Sequence, residues 1–149
     1  MKLFDVAGPG RHFSVWAIFN EDGHCQVMEK MRKVSREYQD LAQQMALLLY
    51  EEVPNNGPPE DPMRLHELYG ELIYEFLAVE FVTQTERKGF RIACFFDGLI
   101  VVCTNAFYKT GTTPRDQVNL SLRERERYFR DKDLGRLDLI DWPGGKEHG

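Results

Sequence analysis

The sequence predicts an α+β domain in which helices pack on an antiparallel sheet. Near the start of the chain, apolar residues recur at helical spacing over a long stretch. Three β-prone segments separated by turn signals follow it. A further helix follows these segments. The expected order is therefore an N-terminal strand, a helix or helical hairpin, an antiparallel meander and a C-terminal helix.

The first elements are a strand and the helical region. Residues 12–19 (HFSVWAIF) predict a strand because they are rich in aromatic and β-branched side chains and are followed by a turn-prone Asn-Glu-Asp-Gly. Apolar residues then recur at alternating steps of four and three over residues 24–53, which is the spacing of one helix face. These residues are Val27, Met31, Val34, Tyr38, Leu41, Met45 and Leu48. The pattern fits one long helix, or a hairpin broken near Ser35, a residue that can cap a second helix.

The second half of the chain changes to a strand period, and its three segments form the expected meander. They are residues 72–83, 89–97 and 99–108. An Asp-Gly pair at 97–98 predicts a tight hairpin between the last two segments. With these two residues as the turn, Phe96 pairs with Leu99, and Arg91 is expected opposite Thr104.

The last helix is predicted over residues 114–131. Pro114 suits the first helical turn, and Thr113 is expected to be the N-cap. We expect residues 1–133 to form a single domain and residues 134–149 to be a C-terminal tail that packs briefly and then frays.

Composition narrows the class of protein. The chain has 149 residues and a net charge of -5, and its 42% of hydrophobic residues is typical of a globular protein. It contains no apolar run long enough for a membrane span and no signal-peptide pattern at its start, which indicates the cytoplasm. The three cysteines are scattered along the sequence, so we expect each to be a small buried side chain. The four histidines are isolated and lack metal-ligand spacing, so neither a metal nor another cofactor is predicted.

Basic residues are concentrated in the C-terminal part of the chain. Residues 107–132 contain seven basic and four acidic side chains, a local excess that permits a nucleic-acid partner on an acidic protein. Arg91 and Lys109 are expected near one end of the sheet, with Tyr108 beside Lys109 and with Arg87 and Lys88 close by. Alternatively, Arg91 forms an ion pair with Glu75 or Glu80 on the neighbouring strand.

A family resemblance rests on two runs, LLLYEEVPNNGPPEDPMRLHELYGELIYEFLAVEF and KGFRIACFFDGLIVVCTNAFYKTGTTPRDQVNLSLRERERYF. The first run contains a helix that ends in Gly-Pro and then a strand in which Leu, any residue and Gly are followed by Glu. The second run contains a strand in which an aromatic residue, Arg and a hydrophobic residue are followed by Phe-Phe-Asp. A Thr-Pro then opens the last helix. In this order, over residues 28–130, the chain resembles the RelE/HigB superfamily of bacterial toxins, particularly its phage-derived HigB-like branch.

The resemblance implies the toxin of a type II toxin-antitoxin system. Members of this family are neutralised by an antitoxin, with which they can form hetero-oligomers, and mostly cut messenger RNA in the ribosomal A site. The implied chemistry is metal-free attack of a 2′-hydroxyl on the adjacent phosphate, which needs cations and a proton-transfer group.

The resemblance also implies roles for particular residues. Arg91 matches the strand arginine that would clamp the phosphate, and Lys109 matches a second charge stabiliser. Local chemistry adds other candidates: Tyr108 for base stacking or proton transfer, Arg115 for RNA backbone contact, and the helix N-terminus at Thr113 for backbone donors to a phosphate. Arg87 and Lys88 would complete the basic rim.

Two positions depart from the family pattern, because Leu77 and Thr112 stand where relatives commonly carry basic residues. Two alternatives to a ribonuclease therefore stay open. One is a ParE-like protein that poisons DNA gyrase by binding, and the other is a diverged, non-toxic binding module of the same fold.

Overall fold

The computed structural model describes residues 1–81, 83–109 and 113–142, without the side chains of Phe81 and Lys109. The strands in this part of the chain are β1 (Lys2–Asp5), β2 (Ser14–Ile18), β3 (Leu65–Tyr69), β4 (Ile73–Phe81), β5 (Arg87–Asp97), β6 (Ile100–Lys109) and β7 (Asp138–Leu139). The helices are α1 (Gln26–Glu37), α2 (Gln39–Ala46), the π-helix Leu47–Glu52, α3 (Val53–Asn56) and α4 (Arg115–Asp133). The α+β class is therefore confirmed.

Within the described residues the strands form one seven-stranded sheet in the order β3-β4-β5-β6-β2-β1-β7. Neighbouring strands from β3 to β6 are antiparallel, as the meander prediction requires. However, β2 lies parallel to β6, and β7 lies parallel to β1, so the prediction of a purely antiparallel sheet is wrong. Parallel pairing needs a long crossover, and the helices and strands between β2 and β6 supply one.

The helical region is broken at Tyr38, whose backbone (φ -141°, ψ 84°) leaves the helical conformation between α1 and α2. Ser35 does not make the break. It lies inside α1, and its hydroxyl donates to the carbonyl oxygen of Arg32 at 2.6 Å. The predicted apolar stripe does face the sheet, where its residues join one buried core with Phe76 and Phe90.

Helix α4 packs on the opposite face of the sheet. Its buried Tyr128 forms a second core with Ile73, Phe95 and Val102, which lie toward one end of the central strands. The other half of this face, which carries Leu77, Gly89 and Arg91, lines an open cleft. The partial cover given by α4 therefore decides which side chains of this face are accessible.

The β5-β6 turn differs from the predicted one. Asp97 pairs with Ile100, so Gly98 and Leu99 form the two-residue turn. Gly98 has φ +58°, which a glycine at the first turn position adopts without strain. Asp97 is held in the strand because its carboxylate accepts hydrogen bonds from Tyr128 at 2.8 Å and from Lys132 at 2.7 Å.

A β-bulge in the same hairpin shifts the pairing register of β5 and β6 further. Thr104 is an extra residue in β6, because Ala93 already pairs with Asn105. Arg91 therefore lies opposite Phe107 rather than opposite Thr104, and the predicted register is wrong.

The bulge also anchors α4. The Thr104 and Ser121 hydroxyls lie 2.7 Å apart, and the Asn105 side chain donates to Gln117 Oε1 at 2.8 Å. The two strand residues are almost completely buried, so these hydrogen bonds fix the position of α4 on the sheet.

The start of α4 also corrects a prediction. Pro114 occupies the N-cap position, and within the described part of the chain no side chain forms a capping hydrogen bond to the helix. Thr113 is not the N-cap, because its hydroxyl donates instead to Glu75 Oε2 at 3.0 Å. The connection into α4 is therefore tied to Glu75, near the start of β4.

The outer edge of β4 is covered by a side chain. Where β4 continues past β3, the Gln44 amide donates to the carbonyl oxygen of Val79 at 2.8 Å and accepts from its N–H at 3.1 Å. Gln44 thus satisfies both backbone groups, as a residue of a neighbouring strand would.

The segment predicted as a tail contributes to the sheet through β7. Trp142 is buried, packs near Phe4 and lies beneath the guanidinium of Arg32, with 5.0 Å between the Arg32 Cζ atom and the ring centroid. The fraying predicted for the end of the tail concerns residues 143–149, which lie outside the described residues. None of the helices in the described ranges has the length and apolarity needed to cross a membrane.

The interaction of Asp97 with α4 predicts a pH-dependent stability. Burial raises the pKa of Asp97, but hydrogen bonds from Lys132 and Tyr128 outweigh this effect and hold the pKa below its ordinary value. A lowered pKa in the folded state stabilises the protein above the unfolded-state pKa, and this contribution is lost as the pH falls through the folded-state value. We therefore expect Asp97→Asn to lower the free energy of unfolding by about 1 to 3 kcal/mol at neutral pH, and by much less in acid.

Urea denaturation at about pH 7 and about pH 2.5 measures this difference. Asp133→Asn, which alters an exposed carboxylate at the end of α4, is the control and should change stability by less than about 0.5 kcal/mol at either pH. An equal loss for Asp97→Asn at both pH values would contradict the assignment.

Candidate functional site

The candidate site is a cleft of about 540 Å³ on the α4 face of the sheet, beyond the region that α4 covers. Strands β3, β4 and β5 and the β4-β5 connection form its walls. Its polar lining residues are His66, Thr85, Glu86, Arg87 and Arg91, and its apolar lining residues are Pro62, Met63, Leu77 and Val79. An apolar cleft with a few convergent polar groups is the usual form of a ligand site.

A buried carboxylate lies behind this cleft. Glu75 has no exposed surface, and its Oε1 accepts a hydrogen bond from Arg91 Nη1 and lies 2.7 Å from His66 Nε2. Its Oε2 accepts the hydroxyl of Thr113. Since a buried charge is tolerated only when it is paired and hydrogen-bonded, Glu75 organises the residues around it.

Strand register explains why these side chains meet. His66 of β3 pairs directly with Glu75 of β4. Arg91 of β5 pairs with Leu77, two residues beyond Glu75 on the same face of β4. The three polar side chains therefore converge because β3, β4 and β5 are consecutive in the sheet.

Arg91 keeps hydrogen-bonding capacity in the cleft. Its side chain is 13% exposed, and Nη1 faces Glu75 and, at 3.5 Å, His66. Its Nε is buried and has no hydrogen-bond partner among the described residues. A guanidinium carries five donors in a planar fork, so Arg91 can bind a phosphate oxygen while it keeps its contact with Glu75.

His66 is oriented by Glu75. A carboxylate only accepts hydrogen bonds, so the Nε2 atom facing Glu75 carries the proton and Nδ1 carries the lone pair. The side chain is 33% exposed in the cleft. An imidazole held by a carboxylate in this way can accept a proton from a bound substrate.

The structure divides the predicted basic rim between the two faces of the sheet. Arg87 and Arg91 lie in the cleft, whereas Lys88 and Tyr108 lie on the α1 side, since alternate residues of a strand point to opposite faces. Lys88 Nζ lies 4.3 Å from the centroid of the Tyr108 ring and donates to the Tyr38 hydroxyl at 3.2 Å. Tyr108 and Lys88 are therefore separated from Arg91 by the sheet.

The remaining predicted residues occupy three different places. Thr113 is buried against Glu75, and Arg115 is exposed at the first residue of α4. Lys109 pairs with Gly89 at the end of β6, on the strand beside the cleft. Its side chain and residues 110–112, with Thr112 among them, lie outside the described residues.

The cysteines are buried, as expected from the sequence. Burial raises the pKa of Cys25 to about 12 and raises the pKa values of Cys94 and Cys103 as well. These thiols are therefore protonated at neutral pH and are not suited to nucleophilic catalysis. Within the described ranges, no group of three or more His, Cys, Asp or Glu side chains is arranged to hold a metal ion.

Sequence reasoning missed His66 because it was judged only as a metal ligand and because β3 was not predicted. The strand is short, and most of its residues are only partly buried, which leaves little hydrophobic alternation to detect. Gly70, with φ +53°, lies in the turn that joins β3 to β4. Treating this glycine as the centre of a hairpin would have placed His66 close to Glu75.

The buried ion pair gives a stability prediction. Glu75→Gln preserves the shape of the side chain but leaves Arg91 without its countercharge in a largely buried position. We expect the free energy of unfolding to fall by about 3 to 5 kcal/mol, because breaking one partner of a buried pair leaves the other charge uncompensated.

Glu52→Gln is the matched control, because Glu52 forms an Arg–Glu pair with Arg64 whose side chains are 32% and 38% exposed. Its loss should cost less than about 1 kcal/mol. Chemical denaturation of both variants measures the difference, and similar losses would show that the Glu75 pair is not the stronger one.

Comparison with known proteins leaves the family of the chain open. The chain matches no protein-family model, no curated protein and no solved structure. The resemblance to RelE/HigB toxins therefore stays a prediction from the sequence.

Proposed function

We propose that this chain is the toxin of a type II toxin-antitoxin system, with a RelE-like fold, and that it cuts messenger RNA on the ribosome in the cytoplasm. The observation that carries the proposal is the convergence of His66, Glu75 and Arg91 at an open cleft. This set combines a proton acceptor, a group that orients it and a phosphate-binding cation, which metal-free cleavage of RNA requires.

In the proposed reaction, Nδ1 of His66 removes the proton from a ribose 2′-hydroxyl. The 2′-oxygen then forms a bond to the adjacent phosphorus, and the bond from phosphorus to the 5′-oxygen breaks. The leaving 5′-oxygen takes a proton from water. The products are a 2′,3′-cyclic phosphate and a 5′-hydroxyl, and no cofactor is needed.

Arg91 and Arg87 bind the phosphate in this scheme. The pentacoordinate transition state carries more negative charge on its oxygens than the starting phosphodiester, so cations at the cleft stabilise it preferentially. Lys109 would add a further positive charge, and Arg115 at the start of α4 would contact the RNA backbone. Tyr108 and Lys88 lie on the other face and take no part in the cleavage step.

Glu75 acts as a positioning residue in this scheme. It is fully buried and does not reach the cleft, so its effect on the reaction passes through His66 and Arg91. It sets the tautomer of His66 and stabilises the imidazolium that forms when the histidine takes up the proton.

A cognate antitoxin is the expected partner, and toxin and antitoxin would form a hetero-oligomer. The order of motifs that resembles RelE/HigB toxins supports this part of the proposal. An antitoxin that covers the cleft would neutralise the protein by excluding RNA.

A second candidate, a non-toxic binding module, is favoured by one observation. Arg91 already has a countercharge in Glu75, so the pair can serve stability alone. The cleft would then bind an anionic ligand without cleaving it.

Primer extension on a reporter messenger RNA in a cell-free translation reaction separates these functions. The wild type should produce new 5′ ends that disappear when ribosomes are omitted. His66→Ala should reduce cutting by about 100-fold or more, the usual contribution of general base catalysis, and Arg91→Ala should also reduce it.

The control variant is His24→Ala, since His24 also lies beside a glutamate, with its Nδ1 3.0 Å from Glu29 Oε1, but is 62% exposed and does not line the cleft. This variant should cut like the wild type. Circular dichroism would show that each variant is folded.

Absence of cuts by the wild type would contradict the ribonuclease proposal. If RNA binding that depends on Arg91 remained without cutting, the binding module would be favoured. Normal cutting by folded His66→Ala would show that another group accepts the proton.

A further inference from the structure

A second group of cations lies on the α1 face of the sheet, apart from the cleft. Lys88 of β5 and Lys30 of α1 place their ammonium groups 4.3 Å and 5.2 Å from the ring centroid of Tyr108. The Tyr38 ring meets Tyr108 edge-on, with centroids 5.8 Å apart. We name these four residues the lysine-tyrosine cluster.

The positive charge of this cluster is not neutralised within it. Among the described residues, Lys30 and Lys88 form no ion pair, whereas Lys132 on the other face is paired with Asp97. The tyrosine rings and the Tyr38 hydroxyl hold Lys88 in place without cancelling its charge. Two acidic residues lie nearby. Glu37 is an exposed side chain at the end of α1, and Glu80 of β4 pairs with Lys88 across the sheet but forms no ion pair with it among the described residues.

The Tyr108 hydroxyl provides a second observation. It is buried and has no hydrogen-bond partner among the described residues. Burial, together with the neighbouring Glu37 and Tyr38, raises the pKa of Tyr108, so the hydroxyl stays protonated and keeps a proton to donate. The hydroxyl is thus a buried donor that the described residues leave without an acceptor, beside the ammonium groups of Lys30 and Lys88.

Strand geometry connects this cluster to the cleft. Arg87 and Lys88 are adjacent at the start of β5, so their side chains lie on opposite faces of the same strand end. A polyanion that leaves the cleft at Arg87 and passes over this end of the sheet reaches Lys88 next. The two faces are therefore joined by neighbouring cations.

We propose that the lysine-tyrosine cluster binds a phosphate of a single-stranded RNA whose neighbouring nucleotides occupy the cleft. The choice of RNA rests on the proposed function, whereas the site itself rests on the cluster. Lys30 and Lys88 contact the phosphate oxygens, and the Tyr108 hydroxyl donates to them once the lysine side chains move aside. The cluster thereby lengthens the RNA-binding path beyond the cleavage site.

The test uses a fluorescein-labelled, single-stranded RNA with 2′-O-methyl groups, which cannot be cleaved, and measures its binding by fluorescence anisotropy without ribosomes. Lys88→Gln and Lys30→Gln should each raise the Kd about tenfold or more, as loss of one charge-assisted phosphate contact does. The slope of log K against log salt should fall in magnitude by about 0.7 for each lysine.

Lys33→Gln is the control, because Lys33 is an exposed lysine on the same helix and its replacement changes the net charge equally. Its Kd should stay within about twofold of the wild type. A thermal melt of each variant separates lost binding from lost folding.

Binding by Lys88→Gln and Lys30→Gln that equals binding by Lys33→Gln would overturn the proposal, and so would absence of RNA binding by the wild type. A polyglutamate peptide of equal charge that binds as tightly, with the same dependence on Lys88, would assign the cluster to an acidic protein instead. Because the RNA is not cleavable, lysine-dependent binding would support the cluster even if the wild type cut no messenger RNA.

Discussion

The hydrogen bonds and ion pair of Glu75 are the interactions on which the candidate site depends. A carboxylate with no exposed surface must be compensated completely, and among the described residues three parts of the chain contribute to this. His66 comes from β3, Arg91 from β5, and Thr113 from the connection into α4. The stability of this half of the molecule and the geometry of the cleft therefore have the same origin. A change at Glu75 would alter the sheet edge, the cationic side chain and the start of the last helix together.

The second constraint is the incomplete cover of one sheet face. The helices of the first half cover their face with a large apolar core, but α4 covers only part of the other face. Hydrogen bonds at the bulge around Thr104 and at Asp97 fix α4 over the part of the hairpin that includes its turn. The polar residues of the cleft are accessible because α4 does not extend over them, and the same face can thus serve packing at one end and binding at the other.

Local patterns predicted most of the elements, and long-range pairing accounts for most of the errors. The apolar stripe from Val27 to Leu48 and the three central strands were predicted because their periods are long and regular. The parallel pairing of β2 with β6 has no local signal, since its partners lie more than 80 residues apart. The predicted register of the β5-β6 hairpin was wrong, because neither the bulge at Thr104 nor the hydrogen bonds of Asp97 to α4 can be inferred from the turn residues alone.

The candidate site was predicted in part for the same reason. The alternative in which Arg91 pairs with Glu75 is confirmed, because an isolated cation in an apolar strand needs a countercharge on a neighbouring strand. The grouping of Arg91 with Tyr108 failed because the extra residue Thr104 shifts the pairing of β5 with β6 by one position. Arg91 therefore pairs with Phe107, and the adjacent Tyr108 points to the opposite face. The position of His66 beside Glu75 depends on β3, a short strand whose amino-acid composition does not predict a strand.

The Gln44 amide has a consequence for the protein at high concentration. A sheet edge with free N–H and carbonyl groups is a template on which a strand of a second molecule can add, which leads to aggregation. By occupying both groups of Val79, Gln44 removes this template at the point where β3 no longer protects β4. A single polar side chain on α2 thereby does what an additional strand would otherwise have to do.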